Sequence, residues 1–225
     1  VRVSAWPGAY RTANGTKCEC SRLFCQNISF LSAPSGDARG IFMKPDRKTY
    51  EINIAGLIRE LPIVQVTDNM AIASFVLLGD SQLVLKAAAE LLPRLPEVDY
   101  LITAEAKGIP LVQELSRLLK MDRYFVARKS IKPYMVHPFV TEVYSITTQK
   151  KQILCLDEVE AKLIAGKRVL IVDDVISTGE SLKAMETLVK KAGGVVAGKA
   201  AILAEGDAAK RDDILFLEKL PLFQF

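Results

Sequence analysis

Two adjacent carboxylates, Asp173 and Asp174, directly follow the apolar run Val169-Leu170-Ile171-Val172, and Ser177-Thr178-Gly179-Glu180-Ser181 comes just after them. Ionised carboxylates accept hydrogen bonds and suit the hydroxyls of a polyol. A hydroxyl- and glycine-rich loop suits a phosphate when its backbone N–H groups are free and a helix begins behind it. Cationic side chains recur at two other places: Lys107 in Glu105-Ala106-Lys107-Gly108, and Arg128, Lys129 and Lys132 in the stretch from Arg128 to Lys132. Basic residues after a strand are as often solvated surface as anion ligands. The acids and the loop after them ask for a ligand that carries both a polyol and a phosphate.

Such a site needs a scaffold that brings the three loops to one edge. Val169–Val172 has no polar alternation and reads as a strand buried on both faces, as in parallel sheets. Leu182, Met185, Leu188, Val189 and Ala192 fall at helical spacing after the second loop, and Gly193-Gly194 stops them. Residues 99–104 read as a strand, and Pro110 sits where a helix would start, with Leu111, Val112, Leu115, Leu118 and Leu119 as its apolar face. Residues 124–127 and 195–203 read as further strands, and 81–95 as a helix ended by Pro93 and Pro96. Residues 133–152 are weakly patterned and suggest a mobile flap, after which 153–156 could be a strand. Strands alternating with helices imply a parallel α/β sheet, whose ligands bind at the carboxyl ends of the strands. All three loops follow strands directly.

Composition sets limits. The chain has 225 residues, 50% of them apolar and 25% charged, as in ordinary globular proteins. No apolar run approaches the roughly 20 residues of a membrane helix. The net charge is +4, and residues 1–42 hold five basic and two acidic residues, leaving 25 basic and 24 acidic for the rest. A body so close to neutral argues against nucleic acid as a partner. Cys18, Cys20 and Cys25 have no nearby His and make a poor zinc pattern, while one cysteine in the body, Cys155, fits a reduced, cytoplasmic setting. His137 is the only histidine and reads as incidental. Residues 1–42 lack periodicity and lack the apolar core of a signal peptide. They are expected to be a non-native or disordered extension, with Met43 as the start of a domain covering 43–225.

Val169-Leu-Ile-Val-Asp-Asp-Val-Ile-Ser-Thr-Gly-Glu-Ser181 resembles the phosphoribosyl-pyrophosphate (PRPP) motif of type I phosphoribosyltransferases. Two rivals fit less well: a receiver domain carries its paired acids near its start, and a P-loop ATPase needs an upstream G-x-x-x-x-G-K-[ST] that is missing. Glu105-Ala106-Lys107-Gly108 resembles the pyrophosphate loop of adenine phosphoribosyltransferases, and Arg128-Lys129-x-x-Lys132 matches that group's R-K-x-x-K pattern. The resemblance implies a Rossmann-like parallel-sheet α/β core with a small hood subdomain, drawn from about 50–66 and 204–225. Asp173 and Asp174 would contact the ribose hydroxyls and, with Arg128, form the catalytic set. Ser177, Thr178, Gly179, Glu180 and Ser181 would cradle the 5′-phosphate. Glu105, Ala106, Lys107, Gly108, Arg128, Lys129 and Lys132 would line the pyrophosphate site. Ile63, Val64 and Val66 are candidates for contact with the base.

The implied reaction displaces pyrophosphate from C1′ of PRPP by a purine nitrogen, in purine salvage. Mg²⁺ would be held through PRPP, with no direct protein ligands, and a homodimer is expected. Adenine is the first choice of base; hypoxanthine, guanine or xanthine is the alternative, and a PRPP-sensing regulator is a third reading. Two departures from the adenine pattern bear on the base. Tyr144-Ser-Ile-Thr-Thr148 lacks the flap glutamate of adenine enzymes, and Ala204–Arg211 departs from the usual base-pocket sequence. A third departure is Glu180, an acid where the family usually has a small residue; its side chain is expected to point away from the phosphate.

Overall fold

The computed structural model describes residues 48–144 and 151–225. The expected extension at 1–42 lies outside the described residues. In chain order the strands and helices are β1 (Thr49–Ile54), β2 (Leu57–Thr67), β3 (Met70–Ala73), α1 (Ser81–Leu91), β4 (Tyr100–Ala104), α2 (Ile109–Leu118) and β5 (Phe125–Ala127). There follow β6 (Phe139–Tyr144), β7 (Lys151–Leu156), α3 (Glu158–Ile164), β8 (Arg168–Ile176), α4 (Glu180–Lys191), β9 (Val195–Glu205), β10 (Leu215–Leu220) and β11 (Leu222–Gln224).

Five strands form a sheet in the order β10-β9-β8-β4-β5, and every neighbouring pair is parallel. Strand alternation explains the unbroken apolar run in β8. Leu170 and Val172 point to one face and pack with α1 and α2 through Leu83, Leu91, Leu111 and Leu115. Val169 and Ile171 point to the other and pack with α3 and α4 through Ile164, Met185, Leu188 and Val189. Both faces are covered, so each position in the strand must be apolar. The α/β parallel sheet expected from the sequence is present.

In a second sheet, in the order β1-β2-β3-β11, each neighbouring pair is antiparallel. The C-terminal segment divides between the two sheets: Leu215–Leu220 joins β9 in the parallel sheet, and only Leu222–Gln224, beyond Pro221, pairs with β3. Arg59 of β2 ties the second sheet to α1 by donating to both oxygens of Asp80, at 2.6 and 3.1 Å. Asp80 is also the N-cap of α1, accepting from the Leu83 amide at 3.0 Å.

Three expectations need correction. The acids do not end their strand: β8 runs on to Ile176 and keeps pairing with β9 as far as Ala204, because Val175 and Ile176 continue the β-favouring pattern. Residues 139–144 and 151–156 pair antiparallel from Phe139–Leu156 to Tyr144–Lys151, so part of the expected flap is a β-ribbon; 145–150 lie outside the described residues. Helix α3 was not expected. Its signal was a capping box, in which Asp157 accepts from the Glu158 amide at 2.8 Å and Glu160 reaches back to the Asp157 amide at 3.3 Å.

Among the described residues no helix is long and apolar enough to cross a membrane.

Candidate active site

From β4 the chain moves through α2 to β5 on one side, and later returns through β8 to fill the other side and continue to β9 and β10. The strand order therefore reverses between β4 and β8. Helices after neighbouring strands splay apart at such a point and leave a crevice at the carboxyl ends. β8 pairs with β4 only through Ile171, whereas it pairs with β9 to Ile176. Asp173 and Asp174 lie in the stretch that has β9 on one side and no β4 partner on the other.

The loop after β4 fills part of that gap. Gly108 is buried, and a Cβ built on it would overlap the Thr103 hydroxyl and lie 3.3 Å from both Cα and Oδ1 of Asp173. The pyrophosphate-type loop and the acid-bearing strand thus meet backbone to backbone. The Glu105–Ala106 peptide in this loop is cis. Lys107 Nζ is 3.0 Å from Asp174 Oδ2. Asp174 is almost fully buried, and its Oδ2 makes no hydrogen bond; the lysine contact is electrostatic and lies outside hydrogen-bonding geometry. A buried carboxylate oxygen without a hydrogen-bond donor is costly unless a ligand supplies one.

Burial and the neighbouring Asp174 charge push the Asp173 carboxyl up to about 8, against the opposing field of Lys107. Asp173 consequently holds a proton through neutral pH in the free protein. The native state then holds this proton to higher pH than the unfolded chain does, so stability declines as pH rises from about 4 towards 8. We expect the thermal midpoint of ligand-free protein to fall across that window and to level off above it. Asp173→Asn should flatten the slope, and equal slopes in both proteins would refute the assignment.

Glu105 organises the cationic loop rather than facing an anion. It accepts from the Lys129 amide at 3.0 Å and from Arg128 Nη1 at 3.4 Å. The Lys129 N–H bond, ahead of the Lys132 and Arg128 charges, holds its carboxyl below the ordinary range. Arg128 is fixed from the other side by paired backbone bonds with Cys155, both 2.9 Å. Lys129 is exposed, and Lys132 donates to Ser130 Oγ at 2.7 Å. Glu105→Ala should free the 128–132 loop, raising the KM for a pyrophosphate-bearing substrate about tenfold while affinity for a 5′-monophosphate stays unchanged. Steady-state kinetics and calorimetry would check both halves.

At the end of β8, Ser177 and Thr178 lead to Gly179, which has φ +83° and serves as the N-cap of α4 without a side-chain cap. The left-handed conformation explains the glycine. The first-turn amides of α4 lack a capping side chain, as an anion site requires. Glu180 is the first helical residue and Ser181 is exposed. Ala106 is exposed beside Lys107.

Ile63, Val64 and Val66 do not form one surface. They sit on β2, where Ile63 pairs with Ala73 and Val64 with Ile72, so the two adjacent side chains point to opposite faces. His137 is largely exposed and lies 3.4 Å from Glu158 of α3. Two residues near these loops were not singled out from the sequence. Glu205 ends β9, next to β8, and burial raises its carboxyl against the field of Lys107. Arg211 stands against Gly179. The signal for Glu205 was its place at a strand's carboxyl end; Arg211 lies in a loop and gave none. Among the described residues no group of three or more His, Cys, Asp or Glu side chains could hold a metal ion alone.

The family described as Phosphoribosyl transferase domain matches residues 78–220, which span every loop described above. The chain belongs to that family. The hypoxanthine/guanine phosphoribosyltransferase of Methanotorris igneus is 37% identical over 113 residues, 50% of this chain and 57% of that one. The enzyme of the same name from Methanococcus voltae is 34% identical over 141 residues, 62% of this chain and 71% of that one. The matched stretch thus spans little more than half of the Methanotorris protein. Adenine phosphoribosyltransferase from Thermoanaerobacter pseudethanolicus has a similar structure, with a TM-score of 0.54 at 22% identity over 64% of this chain and 84% of that one. The fold of this phosphoribosyltransferase domain is the type I fold, with the acid pair and the cis-peptide loop at its switch point.

Proposed function

We propose that the protein is a purine phosphoribosyltransferase that moves the 5-phosphoribosyl group from PRPP to a purine and releases pyrophosphate. The observation that carries this reading is the meeting of Gly108 and Lys107 with Asp173 and Asp174 at the switch point. One crevice thereby joins hydroxyl acceptors to a pyrophosphate-type loop, and α4 begins at Glu180, shortly after Asp174 in the same strand-to-helix connection.

Under this reading Asp173 and Asp174 accept hydrogen bonds from the ribose 2′- and 3′-hydroxyls. The backbone amides from Thr178 to Ser181 hold the 5′-phosphate. As the C1′–oxygen bond to pyrophosphate breaks, Lys107, Arg128, Lys129 and Lys132 stabilise the charge that accumulates on the departing group. A purine nitrogen forms the new bond to C1′, and its proton passes to the departing pyrophosphate or to solvent water. Charge also builds on the ribose ring, where the two carboxyl groups, Asp174 almost fully buried, stabilise it. Mg²⁺ bound with PRPP would neutralise part of the pyrophosphate charge; the unsatisfied Asp174 Oδ2 suits a hydroxyl or a hydrated cation of that complex. The sheet of β1, β2, β3 and β11 is the hood of this reading, with a base contact from one face of β2 at most. A homodimer in the cytoplasm belongs to the same reading through the family resemblance.

Adenine is our first choice of base, supported by the Glu105–Gly108 and Arg128–Lys132 patterns. Hypoxanthine or guanine is the second, favoured by the identity to the Methanotorris protein. Incubating the protein with PRPP, Mg²⁺ and adenine, hypoxanthine, guanine or xanthine tests both. Nucleotide formed from adenine at the highest kcat/KM supports the first, and preference for a 6-oxopurine replaces it with the second. PRPP binding with no turnover on any base would favour a sensor.

A further inference from the structure

The 173–181 segment contains two Asp, one Glu and no cation, although it is the segment proposed to hold a phosphate. Glu180 opens α4 and adds a negative charge at the helix end that must receive an anion. Amides and the helix dipole alone would have to overcome it. A fixed positive charge from elsewhere in the fold would offset that repulsion.

Arg211 supplies one. A Cβ built on Gly179 would lie 3.1 Å from Arg211 Nη1, so the guanidinium is in contact range of the loop's left-handed turn. Its other two nitrogens are engaged: Nε and Nη2 donate to the two oxygens of Asp213, at 2.8 and 2.7 Å. Asp213 also accepts from Lys199 at 2.6 Å, and Lys199 reaches Glu186 of α4 at 2.8 Å. The Lys199 side chain is only 15% exposed. Arg211 is therefore held in a four-residue ion network that is anchored on the same helix whose N-terminus faces it. Nη1 has no hydrogen-bond partner among the described residues, which leaves its two N–H groups as donors. A guanidinium presents donors on separate edges and can bridge two anions at once.

Building on the phosphoribosyl-transfer reading above, we infer that Arg211 is a ligand of the 5′-phosphate, reaching over Gly179 from the loop after β9. Asp213 is its positioning residue. The arrangement also accounts for Glu180: the loop tolerates an acid at its helix start because the cation comes from outside the motif.

Calorimetric titration with ribose 5-phosphate and, separately, inorganic pyrophosphate tests this on wild type, Arg211→Gln, Arg211→Lys and Asp213→Asn. Arg211→Gln should weaken ribose 5-phosphate binding roughly ten- to thirtyfold, the usual worth of a hydrogen bond between charged groups. Pyrophosphate binding should stay within about twofold of wild type, since that group sits on the other loops. Arg211→Lys should recover part of the loss. Should Arg211→Gln fail to fold, Asp213→Asn answers in its place: it keeps the guanidinium but loosens it, and should weaken ribose 5-phosphate roughly threefold. Unchanged ribose 5-phosphate binding, or equal loss for both probes, overturns the inference and leaves the enzyme reading standing. A wild-type protein that binds neither probe overturns that reading as well.

Discussion

Asp173→Asn combined with Asp174→Asn is expected to lower kcat/KM for PRPP by about 10³-fold or more, ~4 kcal/mol of transition-state stabilisation. Asn keeps the shape of Asp but removes the charge, and half of its polar head becomes a donor that cannot accept from a ribose hydroxyl. Asp174 is nearly fully buried, so the field it exerts is little screened. Asp174 Oδ2 has no hydrogen-bond donor among the described residues, and the charge it faces, Lys107, is half exposed, so the fold loses little when the Asp174 charge is removed. The variant should consequently fold, with a thermal midpoint within a few degrees of wild type at neutral pH. With Asp173 already protonated at neutral pH, the electrostatic loss is that of the Lys107 ion pair, whose lysine is half exposed. A folded double variant that retains kcat/KM within tenfold of wild type would remove these acids from the site.

Gly108→Ala should cost about 100-fold in kcat/KM although it adds one methyl group, because a shift of about 1 Å in a catalytic loop carries a penalty of that size. Gly108 has φ −74° and ψ −13°, a conformation open to any residue, so backbone freedom does not explain the glycine. Space does. The added Cβ would overlap the Thr103 hydroxyl and press on Asp173, and Thr103 is completely buried and cannot swing aside. The loop must retreat, carrying Lys107 away from Asp174. Thr103→Ala removes the overlapping hydroxyl, so the double variant Thr103→Ala/Gly108→Ala should regain at least about tenfold. Rescue stays incomplete because the 3.3 Å approach to Asp173 remains. Wild-type kinetics in the single variant would show that the two loops do not depend on this contact.

Some of this architecture is legible residue by residue. The four apolar residues before Asp173 announced a strand covered on both faces, and the two core clusters cover it as expected. The helix spacing of Leu182, Met185, Leu188 and Val189 located α4, and Pro110 located the start of α2. These features are local: burial on both faces, helical period and backbone restrictions act within a dozen residues. Helix α3 is also local, since Asp157 and Glu160 spell a capping box, but the apolar stripe behind it is short and gives a weak helical period. The ribbon of β6 and β7 is also local, since Tyr144 pairs with Lys151 and Phe139 with Leu156, but its residues are weakly patterned and show no clear alternation.

The sequence by itself determined which groups are available: paired carboxylates, a loop poised before a helix, and two short stretches bearing cations. Only the tertiary structure decided which of them meet. Strand order put β4 beside β8, and that neighbourhood brings Gly108 against Asp173 across 65 positions of sequence and Lys107 to Asp174. It also turned Glu105 from an apparent member of the anion site into the anchor of the Arg128–Lys132 loop, and it separated Ile63 from Val64 onto opposite faces of one strand. The placement of Arg211 over Gly179 is of the same kind. Local patterns encode periodicity and capping, which act between neighbours in the chain. Proximity between loops is set by the order in which strands join the sheet, and no short stretch of residues specifies that order.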